Sequence, residues 1–158
     1  MIFQVVVTPE ETLFVMDHGE VRHIYTGRQG QPGKDDLWPT SLGDSIGHWE
    51  SLTLVIDTVA RTPGPISMFA PVAELSEQAH FTERVRRIDK NTLEDQLIIE
   101  DPARFVRPWT VTLRYNQRTR SHTVLTLRLR GRSQSRGERQ VHDSAAQTVI
   151  GVEVRANE

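Results

Sequence analysis

Residues 44–58, with the sequence DSIGHWESLTLVIDT, decide the predicted fold. The stretch has a turn-forming Gly47 and continues into the apolar alternation of residues 52–57, which is typical of a β-strand with two distinct faces. A strand this apolar is usually central in a sheet, so the polar groups before it are predicted to lie at the mouth of a core. Read as one strand, the stretch places on one face His48, Glu50, Leu52, Leu54 and Ile56, and on the other Trp49, Thr53, Val55 and Asp57.

The polar residues of this stretch are the first candidates for a catalytic site. His48 and Glu50 lie two residues apart on one face, so an imidazole and a carboxylate can converge on one small molecule. Neutral histidine is a natural proton shuttle, and a carboxylate in an apolar barrel has a raised pKa. Asp57 is the alternative carboxylate, because the face it shares with Trp49 has the mixed lining typical of ligand pockets. We expect Trp49 and Asp57 to point inward, with His48 at the rim; a solvated strand end for His48 and Glu50 is the alternative.

Further candidates come from other parts of the chain. The segment HFTER at residues 80–84 combines an imidazole, a carboxylate and a guanidinium, and a solvated strand with a cross-strand Glu–Arg pair is the alternative interpretation. Trp38 lies in a Gly- and Pro-rich loop and is expected to cover apolar surface. The predicted catalytic residues are His48, Asp57, Glu50 and His80, and the predicted ligand-binding residues are Trp49, Tyr25, Trp38, Arg84 and Trp109.

Short strands at close spacing extend on both sides of residues 44–58. Besides that stretch, alternation and turn residues predict strands at residues 2–8, 12–17, 20–26, 79–88, 93–100, 109–115, 122–130 and 148–155. Residues 72–87 also fit a helical stripe, although a short turn or coil followed by a strand from about residue 79 is favoured. About eight or nine strands with little helix predict an all-β, antiparallel up-and-down barrel, because closure removes exposed edges. A flatter sandwich is the alternative, and a barrel of this size holds one small ligand.

Composition excludes several classes of protein. The 158 residues fit a single domain, and the hydrophobic content of 37% and charged content of 25% are those of a globular protein. No run of about 18 apolar residues predicts a membrane span, and the N-terminus lacks the pattern of a signal peptide. The chain as written is therefore predicted to be cytoplasmic or already processed. The absence of cysteine excludes disulfides, thiolate nucleophiles and sulfur-ligated metals.

Metal, cofactor and nucleic-acid sites are not predicted. The six histidines show no metal-motif spacing, although the fold could assemble His23, His48 and His80 with Glu50 into a metal site. No glycine-rich phosphate loop or GxSxG signature occurs. The arginine-rich segment at residues 118–139 lacks the interleaved aromatics that stack bases, and residues 131–147 are predicted to be a mobile loop.

The sequence resembles an uncharacterised family of bacterial proteins that are often predicted to be secreted. The matching segments are VRHIYT at residues 21–26, SIGHWE at 45–50, TLVIDT at 53–58, TERVRR at 82–87, EDP at 100–102 and PWT at 108–110. The chain departs from the family pattern at Ser51 and Leu52, where the family has Gly-Asp, and at Leu75, where a histidine is common. The resemblance implies a lipocalin-like fold and no established activity.

These observations together predict a barrel that encloses a small, mostly apolar organic molecule. Its histidine and carboxylate side chains would perform acid–base chemistry without a cofactor, as a lyase, dehydratase, isomerase or cyclase does. A non-catalytic binding protein of the same fold is the alternative. Edge strands at the N-terminal hairpin are compatible with a homodimer, and no membrane or nucleic-acid partner is predicted.

Overall fold

The computed structural model describes residues 2–65, 74–117 and 148–153, which contain eleven β-strands and one three-residue 3-10 turn, Lys34–Asp36. No helix among these residues is long and apolar enough to cross a membrane. The strands are β1 (Ile2–Val7), β2 (Glu11–Met16), β3 (Val21–Tyr25), β4 (Asp44–Glu50), β5 (Thr53–Val59), β6 (Gly64–Pro65), β7 (Glu74–Leu75), β8 (His80–Arg87), β9 (Thr92–Glu100), β10 (Trp109–Asn116) and β11 (Thr148–Glu153).

Most of the predicted strands lie close to their expected bounds. The favoured interpretation of residues 72–87 is also supported, because β8 begins at His80 and the described residues before it contain the short strand β7 and no helix. The predicted strand at residues 122–130 and the predicted loop at residues 131–147 lie outside the described residues.

Eight strands form one curled and mostly antiparallel sheet, in the order β1-β2-β3-β4-β5-β8-β9-β10. Strand β11 pairs with β1 along its whole length and with β10 at Asn116, which closes the sheet into a barrel. Strands β6 and β7 form a separate two-stranded sheet inserted between β5 and β8. The prediction of an all-β barrel is therefore confirmed.

One joint departs from the predicted antiparallel order. Strands β3 and β4 run parallel, with Ile24 opposite Ser45 and Tyr25 opposite Ile46. Parallel neighbours need a crossover connection, because the chain must return to the end of the barrel from which the first strand began. Residues 26–43 make this connection, and Gln31 within it donates hydrogen bonds to the backbone and side chain of Asp57 on β5.

The stretch at residues 44–58 is a hairpin, so its prediction as one strand was wrong. Ser51 and Leu52 form a two-residue turn in which Ser51 has a φ of 57° and Leu52 is exposed. Strands β4 and β5 pair across this turn, with Trp49 opposite Leu54 and His48 opposite Val55. Because side chains alternate along each strand, the turn changes which residues of β5 share a face of the sheet with which residues of β4. The interior face contains Ser45, Gly47, Trp49, Leu54, Ile56 and Thr58, and the outer face contains His48, Glu50, Thr53, Val55 and Asp57.

Two apolar clusters lie in the barrel interior. In the first cluster, side chains of β1, β2, β3 and β5 pack against side chains of β8, β9 and β10. In the second cluster, β7 and the loop before β8 pack against the opposite ends of these last three strands. The buried members of the first cluster are Phe3, Val5, Phe14, Ile24, Leu54, Ile56, Val85, Leu93 and Tyr115; those of the second are Leu75, Ala79, Phe81, Leu97 and Ile99.

Gly47 allows β3 and β4 to approach each other closely. A Cβ atom at this position would lie 2.7 Å from Cγ2 of Ile24 and 3.2 Å from the carbonyl oxygen of Val55. We expect Gly47→Ala to lower the free energy of unfolding by about 1–3 kcal/mol, because the buried Ile24 side chain has no room to move. Urea unfolding followed by tryptophan fluorescence measures the change.

Gly30→Ala is the matched control for this substitution. A Cβ atom at Gly30 meets no atom within 4 Å, so its effect should stay within about 0.5 kcal/mol. Equal losses in the two variants would show that the close approach at Gly47 is not the cause.

Candidate functional site

The predicted pair His48 and Glu50 lies on the outer face of the barrel. Nε2 of His48 is 3.2 Å from Oε1 of Glu50, and Arg84 donates a hydrogen bond of 2.7 Å to Oε2 of the same carboxylate. All three side chains are exposed by two fifths or more. The hydrogen bonds from Arg84 and then from His48 hold the pKa of Glu50 below its usual value, so this carboxylate is not the raised-pKa group expected in an apolar interior.

His80 and Asp57 do come together, although also on the outer face. Nε2 of His80 lies 2.6 Å from Oδ2 of Asp57, and its Nδ1 lies 3.3 Å from Oε2 of Glu100. Burial lowers the pKa of His80, but the hydrogen bonds to Asp57 and Glu100 outweigh it and leave the pKa raised. The pairing of Asp57 with Ile46 and Thr82 places it on the outer face, so the prediction that Asp57 points inward was wrong.

The predicted aromatic residues divide between the two faces. Tyr25 stacks on His23 and lies 4.0 Å below the guanidinium of Arg28, all outside the barrel. Trp38 is 79% exposed, so it does not cover apolar surface as predicted. Trp49 belongs to the interior face by register but is half exposed at the barrel end, whereas Trp109 packs against the second apolar cluster.

The barrel interior contains a polar cluster centred on Arg22. This side chain projects inward from β3 and donates hydrogen bonds with both terminal nitrogens to the Glu83 carboxylate on β8, one of them of 3.0 Å. It also donates to the hydroxyls of Thr58, at 2.8 Å, and Ser45, at 3.3 Å, and these hydroxyls lie 2.8 Å apart. The Arg22 and Glu83 side chains are only 14% and 9% exposed, so the barrel contains a nearly desolvated two-pronged ion pair.

Asp95 is the second acidic group of this interior. The hydroxyl of Tyr115 donates to its Oδ2 at 3.3 Å, while its buried Oδ1 has no hydrogen-bond partner among the described residues. Burial, followed by the negative charge of Glu83, raises the pKa of Asp95 to about 7, although Arg22 partly opposes the change. The Tyr115 pKa is also raised, chiefly by burial, so this hydroxyl stays protonated. The site therefore contains a carboxyl group that titrates near neutral pH.

The sequence carried signals for these residues that our interpretation did not use. Asp95 falls between Leu93 and Leu97 on the inward face of β9, so an acid interrupts an otherwise apolar alternation. Arg22 likewise shares its face with the fully buried Ile24. Ser45, Thr58 and Tyr115 also went unpredicted as site residues, whereas the carboxylate of Glu83 was one of the polar candidates from the segment at residues 80–84.

Within residues 2–65 and 74–117, no three histidine or acidic side chains are grouped as metal ligands would be. No protein-family model, curated protein or solved structure gives a match to this chain.

Proposed function

We propose that the protein is an enzyme that moves a proton on a small, mostly apolar organic molecule bound inside the barrel, with Asp95 as the acid–base group. The observation that carries this proposal is the state of the Asp95 carboxyl: it is buried, one of its oxygens has no hydrogen-bond partner among the described residues, and its pKa is about 7. Carboxyl groups tuned in this way by burial and a neighbouring charge are typical of general acids and bases.

The residues around Asp95 would have different roles in such a reaction. The Tyr115 hydroxyl holds Oδ2, which leaves Oδ1 as the oxygen that takes a proton from a carbon next to a carbonyl group. Asp95 then returns the proton at another position, as in an isomerase, or to a leaving group, as in a lyase or dehydratase. Arg22 holds the Glu83 carboxylate in the interior, and the negative charge of Glu83 raises the affinity of Asp95 for a proton.

The closed barrel also supports the lipocalin-like architecture that the sequence resemblance implies. Small closed barrels hold one ligand among inward-facing side chains. A binding protein of the same fold would use Oδ1 of Asp95 only as a hydrogen-bond acceptor. The two functions differ in one observable, which is the exchange of a carbon-bound proton with solvent.

The test follows proton exchange at the methyl group of acetophenone in heavy water by proton NMR. We expect the wild-type protein to accelerate exchange with an inflection close to pH 7, and Asp95→Asn to reduce the rate by about 100-fold or more, as loss of a general base does. Asp36→Asn, in the exposed 3-10 turn, is the control and should exchange at the wild-type rate.

The Asp57→Asn variant tests, in the same assay, whether proton exchange takes place on the outer face and not in the barrel interior. Loss of exchange in Asp57→Asn with retention in Asp95→Asn would contradict the proposal and move the chemistry to the outer His80 cluster. Saturable binding of acetophenone without any exchange would identify a binding protein.

A further inference from the structure

Arg61 follows β5 and reaches over the barrel end at Phe81. Its guanidinium carbon lies 5.1 Å from the centre of the Phe81 ring, and its Nε donates a hydrogen bond of 3.0 Å to the carbonyl oxygen of Ser41. Within residues 2–65 and 74–117, neither of its terminal nitrogens has a hydrogen-bond or ion-pair partner. The side chain is nevertheless only partly accessible to solvent. The guanidinium is therefore held in place, while its two terminal nitrogens have no partner within those residues.

Arg22 lies close to Arg61 and Phe81. Thr58, which accepts a hydrogen bond from Arg22, is the direct cross-strand partner of Phe81, which lies below Arg61. Such partners have Cβ atoms about 5 Å apart. Gly43 borders both groups, since a Cβ atom there would lie 2.8 Å from Cγ of Arg61 and 2.8 Å from Cγ2 of Thr58.

The positive charges in this region differ in how they are paired. Arg22 and Arg61 contribute two positive charges, and Glu83 contributes one negative charge that the bidentate contact with Arg22 already uses. Glu20, which accepts a hydrogen bond from the Ser41 hydroxyl beside Arg61, contributes a second negative charge that acts on Arg61 without a direct ion pair among the described residues. Asp95 adds only a fraction of a negative charge near neutral pH. Burial and the repulsion from Arg22 lower the pKa of Arg61, and the negative charges of Glu83 and Glu20 only partly oppose this change.

We propose that Arg61, supported by the neighbouring charge of Arg22, binds the carboxylate of a small organic acid at this end of the barrel. The inference rests on the proposed function, because it names the class of ligand that enters the same interior. A guanidinium fork fits a carboxylate with two parallel hydrogen bonds. The apolar part of the acid would pack on the second cluster, where Phe81 is joined by Leu97 and Ile99.

One carboxylate matches the charge of the site better than a phosphate does. Arg61 is one positive charge without an ion-pair partner among the described residues, and a carboxylate brings one negative charge. A phosphate ester brings nearly two and has no second unpaired cation to meet it among the described residues of this end. The apolar wall below Arg61 also favours an acid with a hydrocarbon body.

The test compares 4-acetylbenzoate with acetophenone, which differ only by the carboxylate. Isothermal titration calorimetry of the full-length protein should show that 4-acetylbenzoate binds at least about 10-fold more tightly, a difference of about 1.4 kcal/mol. Arg61→Gln should remove this preference and leave acetophenone binding unchanged. Arg61→Lys should restore only part of it, because an ammonium group lacks the planar fork.

Controls keep folding separate from binding. Arg114→Gln, an outer-face variant whose hydrogen bonds within the described part of the chain all go to Glu94, should bind both compounds as the wild type does. The thermal midpoint of Arg61→Gln should equal or exceed that of the wild type, since the substitution removes an unpaired, partly buried charge. A purely structural role for Arg61 would lower this midpoint and change the binding of both compounds together.

Two results would overturn the inference. One is equal affinity of the wild-type protein for 4-acetylbenzoate and acetophenone, and the other is an undiminished preference for 4-acetylbenzoate in Arg61→Gln. Proton exchange on acetophenone that depends on Asp95 would then leave the proposed function standing on its own. Conversely, an Arg61-dependent preference without any proton exchange would support the carboxylate site and remove the enzymatic function. Tighter binding of phenyl phosphate than of benzoate would replace the carboxylate by phosphate and so contradict the inference.

Discussion

Glu83→Ala is expected to lower the free energy of unfolding by about 3–5 kcal/mol, because it leaves the Arg22 guanidinium buried without its counter-charge. This loss is a large fraction of the stability of an ordinary domain, which is about 5–15 kcal/mol. Arg22 would keep its hydrogen bonds to Thr58 and Ser45, but neither hydroxyl carries a charge. Urea unfolding monitored by tryptophan fluorescence and by circular dichroism measures the change.

Glu50→Ala is the matched control, because it removes the same kind of Arg–Glu contact from an exposed position. The Arg84–Glu50 pair is solvated on both sides, so its loss should cost no more than about 1 kcal/mol. The double variant Arg22→Met, Glu83→Leu tests the cause directly, since replacing both charges by apolar groups should recover most of the stability lost in Glu83→Ala. Similar losses in Glu83→Ala and Glu50→Ala would mean that burial of the interior pair does not determine its energy.

Asp95→Asn should change how stability depends on pH. The pKa of Asp95 is raised from 3.8 to about 7 in the folded protein, so folding favours the protonated acid. Its stabilising contribution is therefore complete below the unfolded-state pKa and is lost as pH rises through about 7. Asparagine does not titrate, so the wild type should lose about 2–3 kcal/mol relative to Asp95→Asn between about pH 5 and about pH 8.

The comparison between variants isolates Asp95 from other titrating groups. The lowered pKa values of Asp101 and Glu94 act in the opposite direction, but they contribute equally to the wild type and to Asp95→Asn. Unfolding free energies from urea titrations across this pH range give the two curves. Parallel curves would show that Asp95 keeps an ordinary pKa and would weaken its assignment as the acid–base group.

The fold was predictable because its signals are local. Strand β10 shows this most clearly, since Trp109, Val111, Leu113 and Tyr115 alternate with polar residues and all lie on the inward face. A series of such strands joined by short turns leaves few architectures that close their edges. The barrel therefore followed from patterns that each involve fewer than about ten neighbouring residues.

The faces of the central hairpin were not predictable in the same way. The turn at Ser51 and Leu52 contains no Gly or Asn, the usual residues for a positive φ, so the alternation was read straight through it. A register changed by one position exchanges the two faces of a strand. This single missed turn moved Asp57, which is the hydrogen-bond partner of His80, from the predicted interior to the outer surface.

The interior polar cluster depends on contacts that no local pattern contains. Arg22 and Glu83 are on strands separated by β4 and β5, so their meeting requires the whole strand order. That order includes the parallel pairing of β3 with β4, which no local pattern of residues indicated. Only the inward direction of Arg22 and Asp95 could have been read from alternation with their apolar neighbours.

The parallel pairing of β3 with β4 divides the barrel wall into two panels. One panel is the meander β1-β2-β3, and the other is β4-β5-β8-β9-β10. The seam between them holds two register pairs, fewer than any other joint in the sheet whose strands both lie within residues 2–65 and 74–117. Arg22 crosses this seam from inside, anchored on the first panel and bonded to three residues of the second, Ser45, Thr58 and Glu83. The side chains that form the interior site thus also connect the two panels across this short seam.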